Sequence, residues 1–453
     1  MSASCVHAAA VYLPAFRLRV DGWGLPRVTA SYDEDATSMA VEAARRALDG
    51  GDGDVDRIVF VTTSPAYLEK NAASTIHAAL GLPASVGAYD AGGALRSTVG
   101  ALVSALESPQ RTLVVAADLQ VALPGSGDER DRADGAAAIL TAPESDQSIA
   151  GLLSHAAGTF ELLERWRDPT DAVARASDER FIEHVYKERI RAAVADAAER
   201  ADVEPKAVRR GAAAGATQRV LRSAGAAAGM DRESWLPAPP IGNLGAAQPL
   251  FELIRLLAAT EAGDTAALVV AADGVDALLL RRYEGELCAT LPRGRDDLPY
   301  LTYLAWKGLL PPPGSRRPDP DPPAPAPSLR STAWKFSLHA GRCSECGFVA
   351  LPPQRICPGC GRTGTSAPYP LANRQATIAS TMTDLLARGS ASPPLMTATV
   401  DFDGGGRGSF ELTDVWADEL PEGARVEPTF RRFYSSEGIS DYFWKLRPAP
   451  EAD

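Results

Sequence analysis

Two CxxC pairs, Cys343-Ser344-Glu345-Cys346 and Cys357-Pro358-Gly359-Cys360, stand ten residues apart and constrain this chain more than any other feature. In a CxxC turn both thiolates can reach one ion. Two such turns offer four soft ligands in tetrahedral geometry, which suits Zn2+. Gly347 and Gly361 follow the pairs where a metal knuckle needs a permissive backbone. Four thiolates do not by themselves choose zinc over iron. A four-cysteine site is closed, so the expected role is structural: it folds a ribbon too small to build its own core. The pairs read as metal ligands rather than disulfides because the start, Met1 to His7, lacks the basic segment of an export signal. A cytoplasmic chain is expected, with no run approaching the roughly 18 to 20 apolar residues of a membrane span.

The other residues have to be partitioned around that ribbon. The chain has 453 residues, 45% of them hydrophobic, enough for more than one domain with a core in each. The formal net charge of −12 argues against nucleic acid or an anionic membrane as a bulk electrostatic partner. Pro311 to Pro327 is more than half proline. It is expected to be extended and stiff, a spacer that forms no helix.

Upstream of this tract, helical and strand signals alternate. Ser38 to Leu48 is amphipathic, Ile58 to Thr63 reads as a strand, Ser74 to Leu80 as a helix and Leu113 to Ala117 as a buried strand. A second round has helices near Glu183 to Arg200 and Pro249 to Ala258, and the strand Ala266 to Ala271. The alternation predicts an α/β fold with a mostly parallel sheet covered on both faces. Downstream, Ala376 to Thr383, Met396 to Phe402, Gly408 to Leu412 and Ala424 to Phe433 alternate in polarity between turn signals. They predict a small antiparallel β-barrel. Leu298 to Leu310 reads as an apolar, aromatic helix that must pack on a domain or a partner.

From about Leu298 to Pro448 the sequence resembles the acyl-CoA-associated proteins that pair a rubredoxin-like zinc ribbon with an OB-fold. The matching features are Trp306-Lys307-Gly308, the ribbon from Cys343 to Gly361, Ala398 to Gly405, Leu412-Thr413-Asp414, and Arg425-Val426-Glu427 before Phe430-Arg431-Arg432. The resemblance implies that the aromatic helix docks on a thiolase-type enzyme and that the OB-fold lies near a CoA channel. An OB-fold also invites a nucleic-acid reading, but Arg330 to Asp453 carries 13 Lys+Arg against 14 Asp+Glu. That balance supplies no obvious basic groove, so no nucleic acid is expected.

Residues 1 to about 285 resemble the thiolase superfamily, in its 3-hydroxy-3-methylglutaryl-CoA synthase and ketoacyl synthase III branch. Ala88 to Ser97 matches the strand-to-helix turn that holds the nucleophile, Asp131 to Ala138 a Gly-rich turn, and Pro240 to Ala247 the loop presenting an active-site Asn. Trp166-Arg167-Asp168-Pro169 is also similar to the synthase branch. The two resemblances divide the chain into thiolase-like halves at 1–150 and 151–290, a docking helix at 291–310, a Pro-rich linker at 311–328, a zinc ribbon at 329–370 and an OB-fold at 371–453.

The branch needs a Cys thiolate whose pKa a helix N-terminus lowers, a His and an Asn, and in the synthases a Glu. Here the Cys position falls on Leu95, and no cysteine occurs between Cys5 and Cys288. Arg210 to Arg219, which should supply the His, contains none, and Ser64-Pro65-Ala66 stands where the Glu is expected, with Glu69 displaced from it. Asn243 is the member retained. His7, His77, His155, His184 and His339 read as structural or surface residues, and neither Cys5 nor Cys288 reads as a relocated nucleophile.

Two functions follow as expectations. The first is a non-catalytic or scaffold component of a thiolase-type acyl-CoA complex, with self-association through the thiolase-like region and the working Cys on a separate thiolase subunit. Zn2+ would be structural and acyl-CoA a ligand. The second is a synthase-like acyltransferase or retro-aldol lyase working without cysteine, for which Asn243, Ser97, Tyr67, Tyr89 and Asp90 are the polar candidates.

Overall fold

The computed structural model describes residues 4–23, 26–49, 54–287, 291, 294–310, 320–385, 394–417 and 419–450. Contacts divide the chain into two compact units. One comprises Met1–Ala30, Met39–Ser74 and Pro83–Asp297; the other comprises Ser31–Ser38, Thr75–Leu82 and Leu298–Asp453. Cys288 and residues 311–319 of the proline tract lie outside the described residues.

The larger unit is built on nine strands: β1 (Cys5–Tyr12), β2 (Arg57–Val61), β3 (Gly87–Asp90), β4 (Thr112–Asp118), β5 (Gly135–Ala142), β6 (Ala150–Gly158), β7 (Val208–Gly215), β8 (Thr265–Ala271) and β9 (Val275–Arg282). They form one sheet in the order β7-β8-β9-β6-β1-β5-β4-β2-β3. Helices α1 (Arg96–Leu106), α2 (Glu179–Arg200), α3 (Gln218–Ala227) and α4 (Gln248–Ala258) cover it.

Strand β8 shows why these segments fold this way. Ala266, Leu268 and Val270 join the core formed with α1 and α4, whereas Ala267, Val269 and Ala271 join the core formed with α2 and α3. With both faces covered, all seven residues are buried and the strand reads as an unbroken apolar run.

The sheet is mixed rather than mostly parallel. β7/β8, β2/β3 and β2/β4 are parallel, while β1/β5, β1/β6, β8/β9, β9/β6 and β4/β5 are antiparallel. Only Ala272, Asp273 and Gly274 connect β8 to β9, and a loop that short permits only an antiparallel hairpin. Doubly covered strands of either kind look alike in sequence, which is why the expectation erred.

The smaller unit holds a three-stranded ribbon and a barrel. The ribbon contains β10 (His339–Cys343), β11 (Val349–Ala350) and β12 (Ser366–Pro370), in the order β11-β10-β12. The barrel contains β13 (Ala376–Asp384), β14 (Leu395–Phe402), β15 (Arg407–Glu411), β16 (Arg425–Ser436) and β17 (Ile439–Pro448), antiparallel in the order β15-β14-β13-β16-β17. A bridge between Leu412 and Leu446 brings the two ends together. Phe430 stacks on Tyr442 with ring centroids 5.6 Å apart and meets Trp444 edge-to-face at 5.5 Å.

The apolar helix of this unit is shorter than its sequence suggests. α5 spans Tyr300–Trp306, starting after Pro299 and stopping before Gly308, whose φ of 70° no ordinary helical residue adopts. Its Trp306 ring lies 5.8 Å from Tyr32 and 6.1 Å from Trp416. The proline tract also differs from expectation at its end, where Pro325–Arg330 is helical. First-turn N–H groups have no intrahelical partner, so Pro325 and Pro327 cost little there.

Segment Ser31–Ser38 is fastened to the barrel by buried charge. Arg431 lies 2.6 Å from Glu34 and 2.6 Å from Asp414, and Lys445 lies 2.9 Å from both Asp33 and Glu411. Thr413 donates to Asp33, and the Tyr442 hydroxyl donates to Asp35 at 2.7 Å.

Candidate functional site

The turn after β3 delivers the chain into α1, and a cavity of about 190 Å³ opens at that helix start. Gly93, Ala94 and Leu95 form one side, and Ala216, Gly245 and Ala246 another. Leu95, only 9% exposed, occupies the helix N-terminus where the resemblance expects the thiol. Among the described residues lining the cavity there is neither cysteine nor histidine.

Asp118, at the end of β4, is the hub of one wall. Its buried carboxylate accepts from the Thr62 hydroxyl at 2.9 Å, from the Thr63 amide and hydroxyl at 2.7 Å, and from the Ala246 amide at 2.7 Å. Donors surround it so fully that it organises loops rather than meeting a ligand. Gly245 is required here, since a Cβ would sit 2.2 Å from an Asp118 oxygen.

Cationic groups stand beside Asp118, since Gln120 donates to it and accepts from Arg132. Arg132 donates to Gln120, to the Ala216 carbonyl and to Asp128, which also accepts from Arg165 at 2.8 Å. Burial, reinforced by the Arg165 charge, lowers the Arg132 pKa to about 10, so it stays charged at neutral pH. Arg167 donates to the Thr63 carbonyl. Three guanidiniums in the cavity lining suit an anionic part of a ligand.

Glu164 completes the lining, nearly fully buried and accepting from the Asp273 amide at 2.7 Å. Burial raises its pKa to about 7, against the lowering effect of that hydrogen bond and of the nearby Tyr186 hydroxyl. A raised carboxyl is protonated more readily in the folded chain than in the unfolded one, so wild-type stability falls as pH rises from about 4.5 to 7. Glu164→Gln keeps the acceptor but cannot ionise. Its unfolding free energy is expected to gain on the wild type over that window by on the order of 2 kcal/mol. Parallel pH profiles for the two proteins would contradict this.

The sequence-derived candidates lie elsewhere. The Asn243 amide is consumed by structure, donating to the Gly215 carbonyl at 2.8 Å and accepting from the Gly245 amide at 2.9 Å. Asp90 accepts from the amides of Ala72 and Ala73. The Ser97 hydroxyl bonds the Gly92 carbonyl. Neither they nor Tyr67 and Tyr89 line the cavity, although Leu95 does. His155 pairs with Asp276, His7 with Gln147 and His339 with Ser337. Sequence reasoning missed Asp118, Arg132 and Glu164. The signals were an acid closing the apolar run of β4, an arginine inside the Asp131 to Ala138 turn, and an acid two residues before Trp166.

In the smaller unit the four ribbon cysteines converge. Their sulfurs all lie within 4.8 Å of one another, with Cys343 to Cys360 at 3.8 Å and Cys346 to Cys357 at 3.6 Å. A tetrahedral ion with Zn–S bonds near 2.3 Å puts its sulfurs about 3.8 Å apart, so the donor set fits. Gly347 and Gly361 have φ of 74° and 72° and donate to the Cys343 and Cys357 carbonyls, closing the two knuckles. A hydrogen bond with Thr365 and the Cys346 amide bring the Cys343 pKa down to about 6. At Cys346 the lowering effect of the Phe348 amide is outweighed by the neighbouring sulfurs, which push the pKa up to about 12. The fit to a metal therefore rests on the sulfur geometry.

No protein-family model matches the chain. The hydroxymethylglutaryl-CoA synthase of Aeropyrum pernix is 30% identical over 167 residues, 31% of this chain and 46% of that protein. The chain thus matches about half the length of that relative. A DUF35 domain-containing scaffold protein of Methanothermobacter thermautotrophicus is 27% identical over 120 residues, 25% of this chain and 88% of that protein. Among solved structures, 3-oxoacyl-(acyl carrier protein) synthase III of Pseudomonas aeruginosa PAO1 superposes with TM-score 0.56 at 18% identity, covering 63% of this chain and 99% of its own. An HMG-CoA synthase complexed with CoA gives TM-score 0.54 at 18% identity, covering 64% and 85%. These likenesses establish the fold of the larger unit. Among the described residues, no helix is long and apolar enough to cross a membrane.

Proposed function

We propose that this chain, a thiolase-like region fused to a DUF35-type domain, is a non-catalytic or scaffold component of a thiolase-type acyl-CoA complex whose nucleophilic cysteine belongs to a separate subunit. The observation carrying this reading is Leu95: an aliphatic side chain fills the helix N-terminus at the cavity, where covalent thioester chemistry needs a sulfur. The relatives supply its setting, one called a scaffold protein and another bound to CoA. Arg132, Arg165 and Arg167 are the groups that would receive an anionic part of acyl-CoA. Zn2+ held by Cys343, Cys346, Cys357 and Cys360 would be structural, since the four sulfurs leave no open position. Strand β3 ends the sheet with Tyr89 well exposed, an edge suited to self-association.

Incubated with acetyl-CoA, the purified wild type is expected to remain unmodified by intact mass. Leu95→Cys should place a thiol where the helix dipole favours thiolate, and should become acylated. Affinity purification at native expression should recover a cysteine-bearing thiolase-type protein. Acyl-CoA condensation or cleavage by the purified chain alone would overturn the scaffold reading. It would favour a cysteine-free acyltransferase or retro-aldol lyase, for which Glu164, with its pKa near 7, is the cavity's proton-transfer group.

A further inference from the structure

We infer that the mouth of the C-terminal barrel binds a neutral acyl chain, the apolar end of a thioester rather than its phosphate-bearing end. A cavity of about 610 Å³ opens there, within the range of small-molecule sites, and all five barrel strands contribute to it. Barrel mouths are preferred ligand positions, and two β-bulges are aimed at this one. The register shifts between Ile378 and Ser380 in β13, and between Arg432 and Tyr434 in β16. Those shifts turn Ser380 and Phe433 into the lining.

The lining chemistry selects the occupant. Phe410 and Phe443 stack with interplanar angle 6°, and Phe433 meets Phe443 edge-on, giving an aromatic floor. Met382, 61% exposed, offers a soft apolar rim. Five hydroxyls face the same space, and only Thr399 and Ser409 pair with each other, at 3.1 Å. They can serve carbonyl or hydroxyl oxygens along a chain. The one charge in the lining, Glu411, shares buried Lys445 with Asp33, each at 2.9 Å, so the wall stays acidic and disfavours an anionic occupant. Among the described residues the lining contains no Lys, Arg or His, so neither a phosphate nor a nucleic-acid backbone is matched there.

The identity of the chain as an acyl group rests on the acyl-CoA reading above; its neutrality rests on this lining alone. The test titrates octanoyl-N-acetylcysteamine, a thioester without phosphates, into the full-length protein by calorimetry. Saturable binding is expected, weakened at least about tenfold by Thr397→Trp, which fills the mouth from a half-buried position. Glu345→Gln, exposed in the ribbon and outside the barrel lining, should leave the affinity within about twofold. If Thr397→Trp lowers the melting temperature, Ser380→Trp at an exposed position replaces it. No saturable binding, or binding that neither barrel variant weakens, overturns the inference, as does competition by a single-stranded oligonucleotide. Binding that persists while no thiolase-type partner can be recovered would separate this site from the scaffold reading.

Discussion

Arg431→Ala is expected to destabilise the smaller unit by about 3 to 5 kcal/mol, the effect of breaking a buried ion pair from one side. Arg431 and Lys445 are fully buried, as is Asp33. Four carboxylates, Asp33, Glu34, Glu411 and Asp414, surround the two cations. Losing the guanidinium leaves four acids facing one ammonium, with Asp33, Glu34 and Asp414 buried. Burial alone would raise the Asp33 pKa, but the Lys445 and Arg431 charges outweigh it and hold Asp33 well below the usual carboxylate range. A depressed pKa contributes stability above the unfolded value and loses it as pH falls. The wild-type unit should therefore weaken below about pH 4, toward the folded pKa. Urea unfolding read by barrel tryptophan fluorescence measures both effects. A variant within about 1 kcal/mol of the wild type would show that the charges stand in water after all.

Removing the metal ligands should produce the other large change. Cys343→Ser with Cys346→Ser is expected to abolish stoichiometric zinc and open the ribbon to protease. Structural zinc contributes on the order of 10 kcal/mol to such small folds, more than a three-stranded ribbon can replace. Glu345→Gln, between the two ligands but exposed and paired only with Arg362, should keep the metal. Retained zinc and unchanged protease resistance in the double variant would refute the assignment. Iron in place of zinc on elemental analysis would leave the fold argument intact and change the ion.

How far the sequence discloses these features depends on how local their physics is. Metal ligation is local: two turns and ten residues define the ribbon, and the expected glycines have the positive φ their place demands. Four of the five barrel strands were legible because one face is polar and the alternation survives; β17 was not, its consecutive Trp444, Lys445 and Leu446 all being buried. The sheet's direction was not, since strands like β8 are buried on both faces. Leu95 could be located because its turn is a contiguous motif, whereas Glu164 is interesting only for the low-dielectric surroundings that the fold brings to it. Asn243 shows the converse: a residue type suited to catalysis is occupied by two backbone partners. Asp33, Glu34 and Asp35 read as an ordinary acidic loop, because the Arg431, Lys445 and Tyr442 side chains that give them meaning lie about four hundred residues away.

That separation has a consequence for how the protein is made. Thr413 reaches Asp33 across 380 residues and Tyr442 reaches Asp35 across 407. At about 5 to 20 residues per second, a ribosome needs roughly 20 to 80 s to make the barrel after releasing the acidic segment. Throughout that interval the segment lacks its native partners Arg431 and Lys445. The smaller unit can therefore close only when its last strand emerges, and a transcript truncated even shortly before Lys445 should yield an open chain, a target for quality-control proteases.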